Sequence, residues 1–283
     1  TSGKRCGKDF GVCYNPDFIA LGSVIRNFLN PDMILIGESD KKAGSMLEDI
    51  HTRLVDNNPK IHKMSLYNSE LTKISLNAYC TLKITFANIL GEICEKIPEG
   101  DVEAVTNAIG DDRRIGRKYL KGGLSYGGPC FPRDNRAFAQ SARKFGVTNL
   151  LAEKIDQIND YHRSERMPGL LQQILKENET DELAVLGLTY KKDTTLVDES
   201  AAISIVKSLS ARGVKVSVYD PAGLGEARTT LKDCENIHYA PSVKACLEEK
   251  NICFIATPWD EFRTLTADDF REHMRSPVIV DAW

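Results

Sequence analysis

The chain has 283 residues, long enough for two domains that each bury a proper core. Apolar content of 42% and charged content of 27% are ordinary for a globular protein. Its 37 basic and 40 acidic side chains, net −3, give no overall attraction to nucleic acid or to an anionic membrane. No apolar run reaches spanning length, and the first residues lack a signal-peptide pattern. Eight cysteines are scattered without C-x-x-C pairs or flanking histidines, so neither a metal site nor a disulfide framework is indicated. The expectation is a cytoplasmic protein with reduced thiols.

Residues 1–11 are polar and glycine-rich and read as a connection. Gly11-Val12-Cys13-Tyr14 reads as a strand closed by the turn signal Asn15-Pro16, and Met33-Ile34-Leu35-Ile36-Gly37 as a second strand after Asn30-Pro31. An amphipathic helix follows over 43–57. The long element is 69–97, where Leu71, Ile74, Ala78, Leu82, Phe86, Ile89, Ile93 and Ile97 recur at helical spacing before Pro98. Cys80 and Ile84 lie on its other side, with Lys73 and Asn77. A helix apolar on more than one face is sandwiched, either between domains or against a second subunit. Lys73 and Asn77, four apart, are neighbours on one face, and taken alone they read as a solvated pair.

Further helices are predicted over 102–109, 135–145 and 150–176, the last broken near Pro168. From about residue 180 the pattern changes. Strands over 183–187 and 214–220 flank a helix over 200–212, and later strands fall at 236–239, 252–256 and 277–281. The fold class is therefore α/β: an all-helical central region built on the long helix, then a doubly wound domain. We expect divisions at 1–66, 67–179 and 180–283. No strand is followed by G-x-G-x-x-G. The turn after the 183–187 strand carries one glycine and two lysines, and Gly223-Leu224-Gly225 ends in Arg228. A crevice at the carboxyl ends of these strands still suits a nucleotide, with Lys191 or Lys192 on phosphate, or else the lysines belong to a solvated loop.

The most informative stretch is the bend from Gly122 to Asp134. Gly122, Gly123, Gly127 and Gly128 permit unusual backbone angles and close approach, and Pro129 and Pro132 stiffen the chain around Cys130. Arg133 and Asp134 follow at once, and a cation beside a thiol favours the nucleophilic thiolate. A buried structural cysteine in a turn is the plain alternative. The flanking chemistry favours a nucleophile.

Several segments in chain order resemble the UDP-glucose/GDP-mannose dehydrogenase family: Asn15-Pro16-Asp17-Phe18, Asn30-Pro31-Asp32 with Ile36-Gly37, and Ser69 to Lys73 with Asn77-Ala78-Tyr79. Arg114-Ile115-Gly116, the Cys130 bend, Tyr190-Lys191-Lys192-Asp193, Glu199-Ser200 and Thr257 to Phe262 complete the set. The resemblance implies an NAD-binding Rossmann domain, a central helical dimerisation domain and a Rossmann-like UDP-sugar-binding domain. It matches only the last stretch of the first, so the chain is expected to be a fragment, inactive alone, with NAD bound mainly by a domain absent from it. The ending at Asp281-Ala282-Trp283 looks early on the same comparison.

By resemblance the activity is NAD-dependent, two-step oxidation of the C6 alcohol of a nucleotide-linked hexose to the acid. UDP-glucose is favoured, and a UDP-N-acetylhexosamine or GDP-mannose is the alternative. A non-catalytic dimeric nucleotide-sugar-binding module is the reading from another class. Cys130 falls on the family's nucleophile and Lys73 on the lysine that steadies the developing alkoxide. Asn77 and Asp134 match residues that position water and the reacting oxygen. Asp17 stands where a glutamate implicated in thioester hydrolysis is usual, and Leu21 where a second glutamate is common. Arg133 replaces the usual lysine on the cofactor side, and Asp198 an arginine. Phe18, Tyr119, Lys121, Tyr126, Gly127, Tyr190 and Lys191 match substrate-binding positions. Arg114 resembles an arginine given to the neighbouring subunit's site in a homodimer that packs through the long helix.

Overall fold

The structure is a computed structural model, and it describes residues 2–148 and 150–283. It forms two compact units, Thr1–Asn77 and Ala78–Trp283, dividing within the long helix.

The first unit holds β1 (Cys13–Tyr14), α1 (Val24–Leu29), β2 (Met33–Glu38), α2 (Lys41–Leu54) and β3 (Lys60–Ser65). The sheet order is β1-β2-β3, with β1 antiparallel to β2 and β2 parallel to β3. Ile34, Leu35 and Ile36 make β2 the buried middle of this sheet. α2 connects the two parallel strands and starts at Asp40, whose carboxylate accepts from the Ala43 amide at 3.0 Å. Sequence periodicity anticipates β1, β2 and α2 but not α1 or β3. The β3 sequence, Lys-Ile-His-Lys-Met-Ser, reads as polar because it occupies an edge where no residue is fully buried.

α3 (Leu66–Cys94) is the predicted long helix, 29 residues or roughly 43 Å. Its first turn closes tightly on β2, because a side chain at Gly37 would lie 2.7 Å from the Ser69 Cβ. That glycine lets Lys73, one turn farther along, reach the loop that follows β1.

In the second unit α4 (Val102–Asp111), α5 (Phe131–Lys144), α6 (Leu150–Tyr161) and α7 (Met167–Glu177) follow. The break expected near Pro168 is a π turn over His162–Arg166, and Pro168 sits in the first turn of α7, where its missing N–H costs nothing. The doubly wound part contains β4 (Glu182–Leu186), α8 (Ala201–Ala211), β5 (Lys215–Tyr219), α9 (Leu224–Thr230) and β6 (Ile237–Tyr239). It continues through α10 (Val243–Leu247), β7 (Ile252–Ile255), α11 (Asp260–Arg263), α12 (Ala267–His273) and β8 (Val278–Asp281). The five strands are all parallel, in the order β6-β5-β4-β7-β8. Leu183 and Val185 of β4 face a core with Leu171, Ile205 and Leu209, while Ala184 and Leu186 face Leu247, Phe262 and Phe270. Helices on both faces explain why these strands read as continuous apolar runs.

The order in which strands are added reverses between β4 and β7, the place where such sheets open a crevice. Here the crevice is filled from within. Asp220, 2% exposed, accepts from the Leu188 and Thr189 amides at 2.7 and 3.0 Å, and from the Trp259 indole at 3.2 Å. Its other oxygen accepts from the Ala222 and Gly223 amides at 2.9 and 2.6 Å. Thr257 donates to the Thr189 carbonyl at 2.7 Å, and Gly187 at φ +94° leaves no room for a side chain beside Thr257. The turn amides that could hold a phosphate are thus already on a carboxylate. We predict that Asp220→Ala, which strands these donors, lowers stability by about 3 kcal/mol or more in urea unfolding.

Candidate active site

The residues singled out in the sequence fall into two groups, one in each unit. In the first, Pro16 stiffens the loop after β1, and the Asp17 carbonyl accepts from Lys73 Nζ at 3.1 Å. The ammonium also lies 4.6 Å from the centre of the Phe18 ring, within cation–π range. Asp17 therefore meets Lys73 through its backbone and not its carboxylate. Asn77, buried, is one turn farther along α3.

The second group is built on the glycine bend. Cys130 is exposed and occupies the N-cap of α5, a 14-residue helix with Pro132 in its first turn. The Asp134 amide donates to the Cys130 carbonyl at 2.9 Å, closing that turn. Asp134, 4% exposed, accepts from Arg133 Nε at 2.9 Å. That hydrogen bond, with Asp134's charge and a smaller contribution from Cys130, holds the Arg133 guanidinium above its ordinary pKa. The plain alternative of a buried structural thiol does not hold: this sulfur is at the surface, whereas Cys246 and Cys253 in the sheet core are buried.

The bend is pressed against the doubly wound part. A Cβ on Gly127 would sit 2.3 Å from the Glu199 carbonyl oxygen, and one on Gly128, at φ +80°, 2.5 Å from the Tyr190 ring. The Gly128 amide donates to the Asp198 carbonyl at 3.0 Å. Burial, and after it the nearby Cys130, pushes the Tyr190 phenol above its ordinary pKa. Lys191 lies 5.8 Å from the Tyr190 ring centre, and burial pulls its ammonium below the usual lysine range against the charge of Asp193. Lys192 pairs with Asp260 at 2.7 Å.

Other candidates lie where their side chains are already engaged. The buried Tyr126 hydroxyl donates to Asp156 at 2.5 Å, and burial with that bond raises its pKa strongly. The Tyr126 amide and carbonyl are both met by the Asn159 side chain. Tyr119, half-exposed at φ 63°, stands edge-on to Phe131, which also meets Tyr126. Arg114 is held by Asp112 at 2.6 Å and Lys121 by Glu103 at 3.3 Å, both on the surface. Sequence reasoning passed over Glu199 as a structural tie. Its carboxylate joins Arg136 of α5 at 2.6 Å to Arg163 of the π turn at 2.8 Å, clamping the turn that supports the bend. The signal available was its place beside Ser200, which caps α8.

Among the described residues no cluster of His, Cys, Asp and Glu could hold a metal ion, and no helix is long and apolar enough to cross a membrane.

Comparison with known proteins covers nearly all of the chain. Residues 67–161 match the central domain of the UDP-glucose/GDP-mannose dehydrogenase family, and residues 184–283 its UDP binding domain. Residues 1–55 match its NAD binding domain. That corrects the expectation of a fragment whose NAD is bound by a domain absent from this chain: NAD-binding-domain sequence is present in it. The UDP-glucose 6-dehydrogenases of Rickettsia typhi and Haloferax volcanii are 32% and 35% identical over 98% and 99% of this chain. In each case the chain spans 64% of the relative's length. The structure of a UDP-glucose dehydrogenase from Pyrobaculum islandicum superimposes with a TM-score of 0.84 at 32% identity, over 97% of this chain and 60% of that one.

The Glu199 clamp has a pH signature. Burial works to raise its pKa, but the hydrogen bonds from Arg136 and Arg163 outweigh it and hold the carboxyl below its ordinary value. The unfolded chain takes up this proton near pH 4.3 (about), the folded chain only at lower pH. The clamp's contribution is complete above the unfolded value and is lost as pH falls through the folded one. Urea midpoints of the parent and of Glu199→Gln should differ at pH 6 (about) and converge on acidification below the ordinary carboxylate range.

Proposed function

The chain belongs to the UDP-glucose/GDP-mannose dehydrogenase family, and we propose that it acts as a nucleotide-sugar 6-dehydrogenase, oxidising the C6 alcohol of a UDP-hexose to the uronic acid. The observation that carries this reading is the exposed Cys130 at the head of α5, beside Arg133 and Asp134, in a bend held by Glu199 and Tyr190. UDP-glucose is the favoured substrate, because the relatives matched over nearly the whole chain carry the name UDP-glucose 6-dehydrogenase.

The four-electron oxidation needs a covalent stage. Each oxidation removes a hydride from C6, which NAD, when bound, takes up. The first leaves an aldehyde, whose trigonal carbon has no second hydride to lose as a simple carbonyl. Addition of the Cys130 thiolate makes that carbon tetrahedral as a thiohemiacetal. Loss of the second hydride leaves a thioester, and water releases the acid and restores the thiolate. Lys73 is the cation for the oxygen that becomes negative when sulfur adds. Asn77 and Asp134 orient that oxygen and the hydrolytic water, with Asp17, whose backbone carbonyl meets the lysine, as the further acid.

Lys191 and Tyr190 form the nucleotide's place on the α/β part, since the turn amides are occupied by Asp220. A diphosphate beside Lys191 would raise the pKa that burial lowers. Tyr119, Lys121, Phe18 and the Tyr126–Gly127 backbone complete the substrate contacts in this reading, and Arg133 faces the cofactor. Residues 1–55 match the family's NAD binding domain, which supports NAD as the cofactor. Eight free cysteines suit a reducing compartment, and we place the protein in the cytoplasm.

Tyr79, Phe86 and Ile93 lie seven residues apart on α3 and are each about half exposed. We assign this stripe to a second copy of the chain, with Arg114 serving the partner's site. Sedimentation should report a dimer, and Phe86→Glu a monomer; a parent that sediments as a monomer rules the assignment out.

With UDP-glucose and NAD, the protein should release two NADH per sugar, and Cys130→Ser should abolish acid formation while still binding UDP-glucose. A serine variant that forms acid at the parental rate would remove Cys130 from the mechanism. Calorimetric binding with no NADH from the parent would favour the binding module.

A further inference from the structure

His51 belongs to none of the motifs above, yet it is 7% exposed on α2, its ring 6.5 Å from that of Phe28. Its Nε2 lies 2.7 Å from Asn15 Oδ1. The opposite end of the same amide donates to the Leu35 carbonyl of β2 at 2.9 Å, which fixes the amide's orientation. An amide oxygen only accepts, so His51 Nε2 must carry the proton and donate it.

Asn15 is thereby pinned between a strand and a helix. Pro16 follows with its backbone restricted, and the next two residues supply both described contacts of the Lys73 ammonium. A carbonyl and a ring face have no net charge. They place a cation by geometry, so the ammonium is only as well placed as the loop. We infer that His51 is a positioning residue for Lys73: its Nε2–H, acting through Asn15, holds the loop that aims the ammonium. The inference rests on the reading of Lys73 as the cation for the reacting oxygen.

Two measurements on the whole protein test it, and neither needs turnover. In the unmodified protein, nitrogen-15 NMR of neutral His51 should show the Nε2–H tautomer. The rate of reductive dimethylation of Lys73, read by mass spectrometry, should rise about fivefold in His51→Leu, the worth of one lost hydrogen bond. His51→Gln, whose amide can still donate to Asn15, should keep the parental rate. A merely structural histidine would lower the melting temperature in both variants and leave Lys73 labelling unchanged. An Nδ1–H tautomer, or equal labelling of the parent and a folded His51→Leu, overturns the inference. If His51→Leu fails to fold, the tautomer and His51→Gln decide it: faster labelling in His51→Gln overturns it too. Either failure leaves the Cys130 assignment standing, and an active Cys130→Ser leaves the aim of Lys73 untouched.

Discussion

The second unit depends on the missing side chains at Gly127 and Gly128. Any Cβ at those positions would collide with the Glu199 carbonyl and the Tyr190 ring. Because there is none, the chain just before Cys130 lies directly on the turn leading into α8, and the Gly128 amide finds its partner in the Asp198 carbonyl. Glu199 itself has φ 52°, an unfavourable angle for a residue with a side chain. Its carboxylate is held by Arg136 on one side and Arg163 on the other. The π turn that carries Arg163 is another locally costly feature. Two such features, joined by the Glu199 carboxylate beside the bend that carries Cys130, fit a site whose geometry is held by its surroundings.

Electrostatics divides the α/β part in two. At the switch in strand order, Asp220 gathers amides from two turns and an indole, so a position that elsewhere receives phosphate is already satisfied by the chain's own carboxylate. The crevice becomes core. Toward Tyr190 the half-buried Lys191 ammonium is disfavoured by burial and favoured by the charge of Asp193. Added negative charge there would stabilise the ammonium further, whereas the amides at Asp220 are already hydrogen-bonded. This is why we put the nucleotide beside the cysteine bend and not at the centre of the sheet.

The sequence announces elements in proportion to their burial. β4 and β7 are covered on both faces and read as unbroken apolar runs, and α3 carries its periodicity over 29 residues. β3 is legible only in retrospect, because an edge strand with half-exposed lysines has no apolar alternation to show. The sequence points to Pro168 as the break in a helix over 150–176, but the irregularity precedes the proline, which fits the first turn of the next helix. For the site, the Cys130 bend is visible because glycine and proline are rare in combination around a thiol. Glu199, Asp220 and His51 are not, since their partners are distant in sequence and only the fold brings them near: two guanidiniums for Glu199, turn amides for Asp220 and the Asn15 amide for His51.

The shortened acid at position 17 illustrates the same distinction. By resemblance Asp17 stands where a glutamate is usual, and in the proposed mechanism the shorter side chain withdraws the carboxylate by one methylene, enough to misplace a general base. Lys73, however, is met by the carbonyl of that residue, and a carbonyl does not move when its side chain shortens. The neighbouring contacts are equally indifferent: Phe18 supplies a ring face, and Asn15 is tied to β2 and α2 by its own amide. In the proposed mechanism a change of acid at position 17 alters the water-activating step without disturbing the cation, so that the side-chain and backbone roles assigned to one residue are separable at a single position.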